Sequence, residues 1–186
     1  MATRPPSLLR ALLRRWPAML LAACCSVAQA QAPVPEHQLK AAYIFNFAVF
    51  TEWPPEALPA GSPLQLCVFG GSALLDALQA LGDKTINGHK LTIHALSGSA
   101  AASVPRACHL LVLDRQDRER WPQLHRDLGS ASVLTVADDK QIAGAGAMLA
   151  LFKDDQRIVF DADLGAVRAC RLSLSSKLLR LARSVQ

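Results

Sequence analysis

The side chains best able to ligate a metal or attack a substrate are the histidines at positions 37, 89, 94, 109 and 125 and the cysteines. No two of these histidines lie two, three or four residues apart, so no helix or strand spacing brings imidazoles onto one metal. Neither H-E-x-x-H nor C-x-x-C occurs. Cys108 and His109 are neighbours in an apolar run that reads as a strand. Their side chains then point to opposite faces, which rules out a local thiolate–imidazole pair. G-x-S-x-G is absent, and Ser175-Ser176-Lys177 lacks the S-x-x-K spacing of serine–lysine enzymes. Gly70-Gly71-Ser72 separates a predicted strand from a predicted helix, where backbone N–H groups can hold an anion. It matches neither the Walker loop nor the dinucleotide fingerprint. We read it as a tight turn, with a small anionic ligand as the alternative. Asp138, Asp139, Asp154, Asp155, Asp161 and Asp163 fall at turns and helix starts, where carboxylates accept backbone N–H groups. The expectation is no catalytic residue, no metal site and no cofactor.

The formal charge of +5 is concentrated at the front of the chain. Arg4, Arg10, Arg14 and Arg15 precede any acidic residue, and without them the remainder is close to neutral. Nothing in that balance calls for nucleic acid. The arginines, the apolar run Trp16–Ala28 and the A-x-A pattern Ala28-Gln29-Ala30 form a secretory signal over residues 1–30, leaving 31–186 as one exported domain. Leu21-Ala22-Ala23-Cys24 offers an alternative, lipid attachment at Cys24. Export makes cysteine pairing relevant. Cys67 and Cys108 lie on predicted strands of one sheet and are expected to form a disulfide. The loop of about 40 residues would contribute ~4 kcal/mol by chain entropy. A reduced buried pair is the alternative, and Cys170 has no evident partner.

The elements follow from periodicity. Leu39 to about Trp53 reads as an aromatic-rich helix, with Leu39, Tyr43, Phe47, Phe50 and Trp53 on one face, stopped by Pro54-Pro55. Buried strands are expected at Leu64–Phe69, Lys90–Leu96, Cys108–Leu113 and Ser132–Val136. The intervening helices are Ala73–Leu81 and Trp121–Leu128, and Asp138-Asp139 caps a short one ending at Ala143. Asn87-Gly88 marks a tight turn, and Ser97–Ser103 a surface loop. Ala147–Phe152 and Arg157–Phe160 form a hairpin, followed by helices at Asp163–Cys170 and Ser173–Val185. The expected fold is α/β: a mixed β-sheet flanked by helices in a single compact domain, with a β-hairpin near the C-terminal third.

The segment Lys40–Pro54 (K-A-A-Y-I-F-N-F-A-V-F-T-E-W-P) resembles the start of the YfiR family of exported bacterial proteins. The resemblance continues through Leu66–Gly70, Cys108–Leu111, Val133–Asp138 and Leu172–Arg183, and so spans the exported domain. It implies a periplasmic α/β regulator without enzymatic chemistry. Such a protein binds and restrains a membrane diguanylate cyclase, lowering cyclic-di-GMP and biofilm formation. Expected partners are the periplasmic domain of a diguanylate cyclase or of a sensor kinase, and a second copy of the chain as a homodimer. Only one cysteine pair is evident, so a second, regulatory disulfide is not carried over. The hairpin and the helix after it are the candidate partner surface, represented by Phe152, Phe160, Asp161, Val167 and Arg168. A small-ligand sensor module, with its ligand at Gly70-Gly71-Ser72 or beside the first helix, is the alternative.

Overall fold

In a computed structural model of the chain, the residues described are 34–97, 104–155 and 157–186. The expected signal segment, Cys24 and the loop beyond Ser97 lie outside them. The described residues open with helix α1 (Glu36–Val49) and a short strand β1 (Thr51–Glu52). Strand β2 (Leu64–Phe69), helix α2 (Leu75–Gln79), and strands β3 (Thr85–Ile86) and β4 (His89–Leu96) follow. Next come α3 (Val104–Ala107), β5 (Leu110–Asp114), a single 3-10 turn at Arg115–Asp117, α4 (Trp121–Leu128), β6 (Leu134–Asp138) and α5 (Lys140–Gly144). The last third holds the hairpin β7 (Leu149–Asp154) and β8 (Arg157–Ala162), α6 (Leu164–Ala169), β9 (Ser173–Leu174), α7 (Ser176–Leu179) and β10 (Ser184–Val185).

The main sheet has the order β10-β8-β7-β6-β5-β2-β4-β3. Strands β4, β2, β5, β6 and β7 run parallel, β8 returns antiparallel to β7, and β10 lies parallel to β8. The parallel strands, numbered by their own sequence, have the doubly wound order 2-1-3-4-5. Alternation explains their apolar runs. Leu66 and Val68 of β2, Leu110 and Val112 of β5, and Leu134 and Val136 of β6 face a core built with α1, α2 and α6. Cys67 and Phe69, Leu111 and Leu113, and Ala137 face a second core built with α3, α4 and α5. A parallel strand covered on both sides has no polar face to present.

The first helix ends earlier than its aromatic pattern suggests. Phe50 leaves helical geometry, and Thr51 turns its hydroxyl back onto the carbonyl of Phe47 at 2.6 Å. Thr51 and Glu52 instead pair antiparallel with Leu174 and Ser173. The most buried face is Ala41, Ile44, Phe47 and Ala48, while Leu39, Tyr43, Phe50 and Trp53 pack at its margins. Phe47 meets Phe160 edge-on at 4.9 Å, and Tyr43 closes the trio at 6.4 Å from Phe160.

Of the predicted C-terminal helix over Ser173–Val185 only the single turn Ser176–Leu179 forms, between two short strands. Leu174 and Leu178 are buried, but Leu181 is 72% exposed. The backbone of Arg183 and Gln186 donates to the carbonyls of Phe160 and Ala162 at 2.8 and 2.9 Å, adding β10 to the sheet edge. Long-range strand pairing within the chain thus overrides a leucine spacing that looked helical. Smaller differences are shifts of strand ends: β5 starts at Leu110 and β6 runs on to Asp138. Cys67 and Cys108 are joined, with Cα atoms 5.8 Å apart, and Cys170 is a buried free thiol.

The aromatic trio makes Phe160 the test of this core. Phe160→Ala should destabilise the protein by about 3–5 kcal/mol in urea denaturation, as large-to-small changes in packed cores do. Phe152→Ala, on the outer face of the hairpin, should cost far less.

Candidate functional site

Two concave regions hold the polar side chains worth considering. The first lies at the carboxyl ends of β2, β5 and β6. The chain order reverses between β2 and β5, so this is the topological switch point where doubly wound sheets open a crevice. The cleft measures about 310 Å³ and is lined by residues of α1, the β2–α2 turn, the β5 end and Asp138.

Each wall has a local cause. Gly71 adopts φ +91°, a conformation that favours glycine, and its carbonyl accepts Gln116 Nε2 at 2.8 Å. That bond ties the β2–α2 turn to the turn after β5. The cleft is lined by Ala73 and Leu74, the residues just after Gly70-Gly71-Ser72, rather than by the glycines. Ser72 uses its hydroxyl to accept the Leu74 amide. On the β5 side, Asp114 accepts the Gln116 amide while Asp117 accepts the Asp114 amide, a reciprocal capping box.

The electrostatic centre is Lys40, 12% exposed in its side chain. Its Nζ lies 2.7 and 2.9 Å from the two oxygens of Asp138 and 2.7 Å from Glu36 Oε1. Glu36 Oε2 accepts Lys153 Nζ at 2.8 Å. Lys153 and then Lys40, through these hydrogen bonds, hold the Glu36 carboxyl down at about 2. Burial opposes the charge on Lys40, yet the bonds to Asp138 and Glu36 prevail and raise its pKa. For Asp138 burial outweighs Lys40, and its carboxyl is pushed up. Of the two, Asp138 is the member whose charged form burial disfavours. Asp138 was expected only as a helix cap; the cap of α5 is Asp139 alone, which also takes Arg118. Lys40 interrupts a helix that is otherwise largely apolar. The Glu36–Lys40 spacing of four was a readable signal; the reach to Asp138 was not.

The second region is a groove of about 640 Å³ beside the hairpin, lined among others by Phe152, Lys153, Asp161 and Arg183. Arg183 donates twice to Asp161, at 2.9 and 2.6 Å, and its guanidinium lies 4.4 Å from the centre of the Phe152 ring. The structure therefore divides the expected partner residues. Phe152 and Asp161 meet in the groove. Phe160 and Val167 are each 1% exposed and belong to the core with α1, away from the surface of the chain. Strand β8 buries alternate residues, Phe160 among them, and α6 turns Val167 inward with Cys170 one turn on. Arg168 is exposed on α6, outside the groove lining. Arg183, expected inside a C-terminal helix that instead ends at Leu179, is the missed member.

The histidines are structural where they are buried. His109 Nδ1 accepts the Gln65 amide at 2.9 Å and Nε2 faces the Ala57 carbonyl at 3.0 Å, so the neutral ring is fixed by backbone. Among the described residues, no three His, Cys, Asp or Glu side chains converge as a metal site.

The model of the YfiR/HmsC-like family matches residues 37–183. No curated protein matches the chain. Among solved structures, a conserved domain protein from Vibrio cholerae O1 biovar El Tor superposes with a TM-score of 0.56 at 12% identity, over 81% of this chain and 60% of that one. A Streptococcus pneumonia structure described as an ABC domain in complex with L-Trp gives 0.50 at 8% identity, over 66% of this chain and 56% of that one. Both likenesses concern the fold alone, and the chain spans less than two thirds of either.

Asp117 gives a pH prediction for the cleft wall. Asp117 is 1% exposed, and Oδ1 sits 3.3 Å from Arg120 Nε without hydrogen-bond alignment. Burial pushes its pKa up to about 6, against an ordinary value of 3.8. A carboxyl raised in the folded state favours folding below its unfolded pKa, and this contribution is lost as pH rises through 6. Wild type should therefore gain on the order of 2–3 kcal/mol between pH 7 and pH 4 from this group. Asp117→Asn should lack that gain when the two are compared by chemical denaturation across the range.

Proposed function

The chain belongs to the YfiR/HmsC-like family, periplasmic regulators of diguanylate cyclase signalling, and from that premise we propose that it binds a membrane diguanylate cyclase and holds it inactive. The family match over residues 37–183 carries this reading. A restraining protein needs no catalytic group. It needs a surface that binds one state of the receptor more tightly than the other. The hairpin groove suits that role, because Phe152 offers an apolar ring beside an Asp161–Arg183 pair that can be exchanged for partner charges. Restraint of the cyclase lowers cyclic-di-GMP and so biofilm formation.

Deleting the gene should raise cellular cyclic-di-GMP; an unchanged level excludes the cyclase as the target. Phe152→Glu and Arg183→Glu should lose the partner in pull-downs from solubilised membranes while the purified variants keep the wild-type melting temperature to within a few degrees.

The switch-point cleft favours a second reading, a small-ligand sensor acting on a sensor kinase or other membrane receptor. Lys40, Asp138 and Glu36 are held in place there beside open space of ligand size. A thermal-shift panel of nucleotides, amino acids, amines and anions should raise the melting temperature with at least one class. Silence across the panel removes the sensor reading and leaves the cyclase reading intact.

A further inference from the structure

The charges lining the switch-point cleft are unequally occupied. Each carboxylate is engaged: Glu36 with Lys40 and Lys153, Asp138 with Lys40, and Asp114 with the Gln116 amide. The cleft's exposed basic side chains, His37 and Arg115, make no hydrogen bond or ion pair among the described residues. Glu36 and Asp138 offset Lys40 and Lys153 in formal charge, and Asp114 offsets Arg115. The local field is therefore near neutral, while the donors left unused are those of Arg115 and His37. Ala73 and Leu74 supply an apolar wall beside them.

We propose that this cleft is an effector site for a small oxyanion, a carboxylate- or phosphate-bearing molecule held by Arg115 and His37, and that Glu36 relays its occupancy to the hairpin groove. The proposal rests on the ligand-sensor reading of the cleft. Arginine presents a planar fork that matches a carboxylate or phosphate with two donors. The relay follows from shared partners. An anion entering the cleft draws on the ammonium of Lys40, which Asp138 and Glu36 already divide. Glu36 is in turn divided between Lys40 and Lys153. Lys153 stands next to Phe152 in the groove lining. Three consecutive charge-assisted contacts thus run from one concave region to the other, through α1. A change in what Lys40 holds alters what Glu36 offers Lys153, and by linkage occupation of the groove alters the cleft equally.

Isothermal titration of the purified protein at constant ionic strength, with inorganic phosphate, citrate and a diamine as cationic control, tests the site. Saturable binding of phosphate or citrate is expected, weakened about five-fold or more by Arg115→Gln and by His37→Gln. Both residues are exposed, so unchanged melting temperatures verify the fold. Binding that neither substitution weakens, or binding of the diamine alone, overturns the oxyanion assignment; the second outcome leaves a ligand sensor standing. If none of the three binds, the oxyanion site is wrong, whereas the sensor reading falls only with a blank ligand panel. Amide resonances of Lys153 and Asp154 should shift on anion binding in wild type and stay still in Glu36→Gln. Binding without that shift, or a shift that survives Glu36→Gln, overturns the relay.

Discussion

Everything in this fold depends on the burial of parallel strands on both faces. Strands β2, β5 and β6 place leucine, valine and alanine alternately into two separate cores, so neither side of the sheet can be left to water. Helices α1, α2 and α6 cover one face and α3, α4 and α5 the other. The crossovers then send successive strands outward from β2 in both directions. A crevice at the carboxyl ends between β2 and β5 is a geometric consequence of that reversal, before any particular side chain lines it. The disulfide between Cys67 and Cys108 reinforces this same seam, since it ties β2 to the entry of β5.

Electrostatics is layered on that frame in order of burial. Asp138 and Asp139 follow one another at the end of β6 and serve opposite sides: Asp138 takes Lys40 from α1, and Asp139 takes Arg118 and caps α5. A helix that is apolar around most of its surface thereby gains a fixed rotational position, because Lys40 can reach Asp138 in one orientation only. Leaving either partner buried and unpaired would cost several kcal/mol, although the pair itself adds little beyond its desolvation. Its contribution is therefore to orientation more than to stability. The outer contact, Lys153 with Glu36, is more exposed and correspondingly weaker.

How much of this was legible in the sequence varied with the range of the interaction. Leu64–Phe69 and Trp121–Leu128 were placed to the residue, because each satisfies its own periodicity and ends at glycine or a charged turn. The β7–β8 hairpin was legible for the same reason, and Asn87-Gly88 forms the separate β3–β4 turn with both residues at positive φ. The C-terminus was not. Leu174, Leu178 and Leu181 have helical spacing, but hydrogen bonds to Phe50, Phe160 and Ala162 decide the conformation. Those partners lie far away in the chain and carry no local signal. Of the surface residues chosen from sequence, Phe152 and Asp161 share the groove, while Phe160 and Val167 followed the strand and helix periodicity inward. Alternation along β8 could have separated Phe160 from Asp161, since neighbours on a strand must face opposite ways.

The same range dependence bears on what kind of molecule this is. Catalysis demands side chains held within fractions of an ångström by a second layer of contacts. Here the best-held polar groups, Lys40, Asp138 and His109, are spent on helix orientation and backbone satisfaction. The groups nearer solvent, Arg115, Lys153 and the Asp161–Arg183 pair, are held by one or two exposed contacts or by none. Such groups exchange partners at little cost, because exposed ion pairs in water are worth about 0–1 kcal/mol. That is a poor basis for transition-state stabilisation and a good one for reversible association. A regulator exchanges contacts as conditions change, and weakly committed surface charges around a rigid, doubly covered sheet allow such exchange.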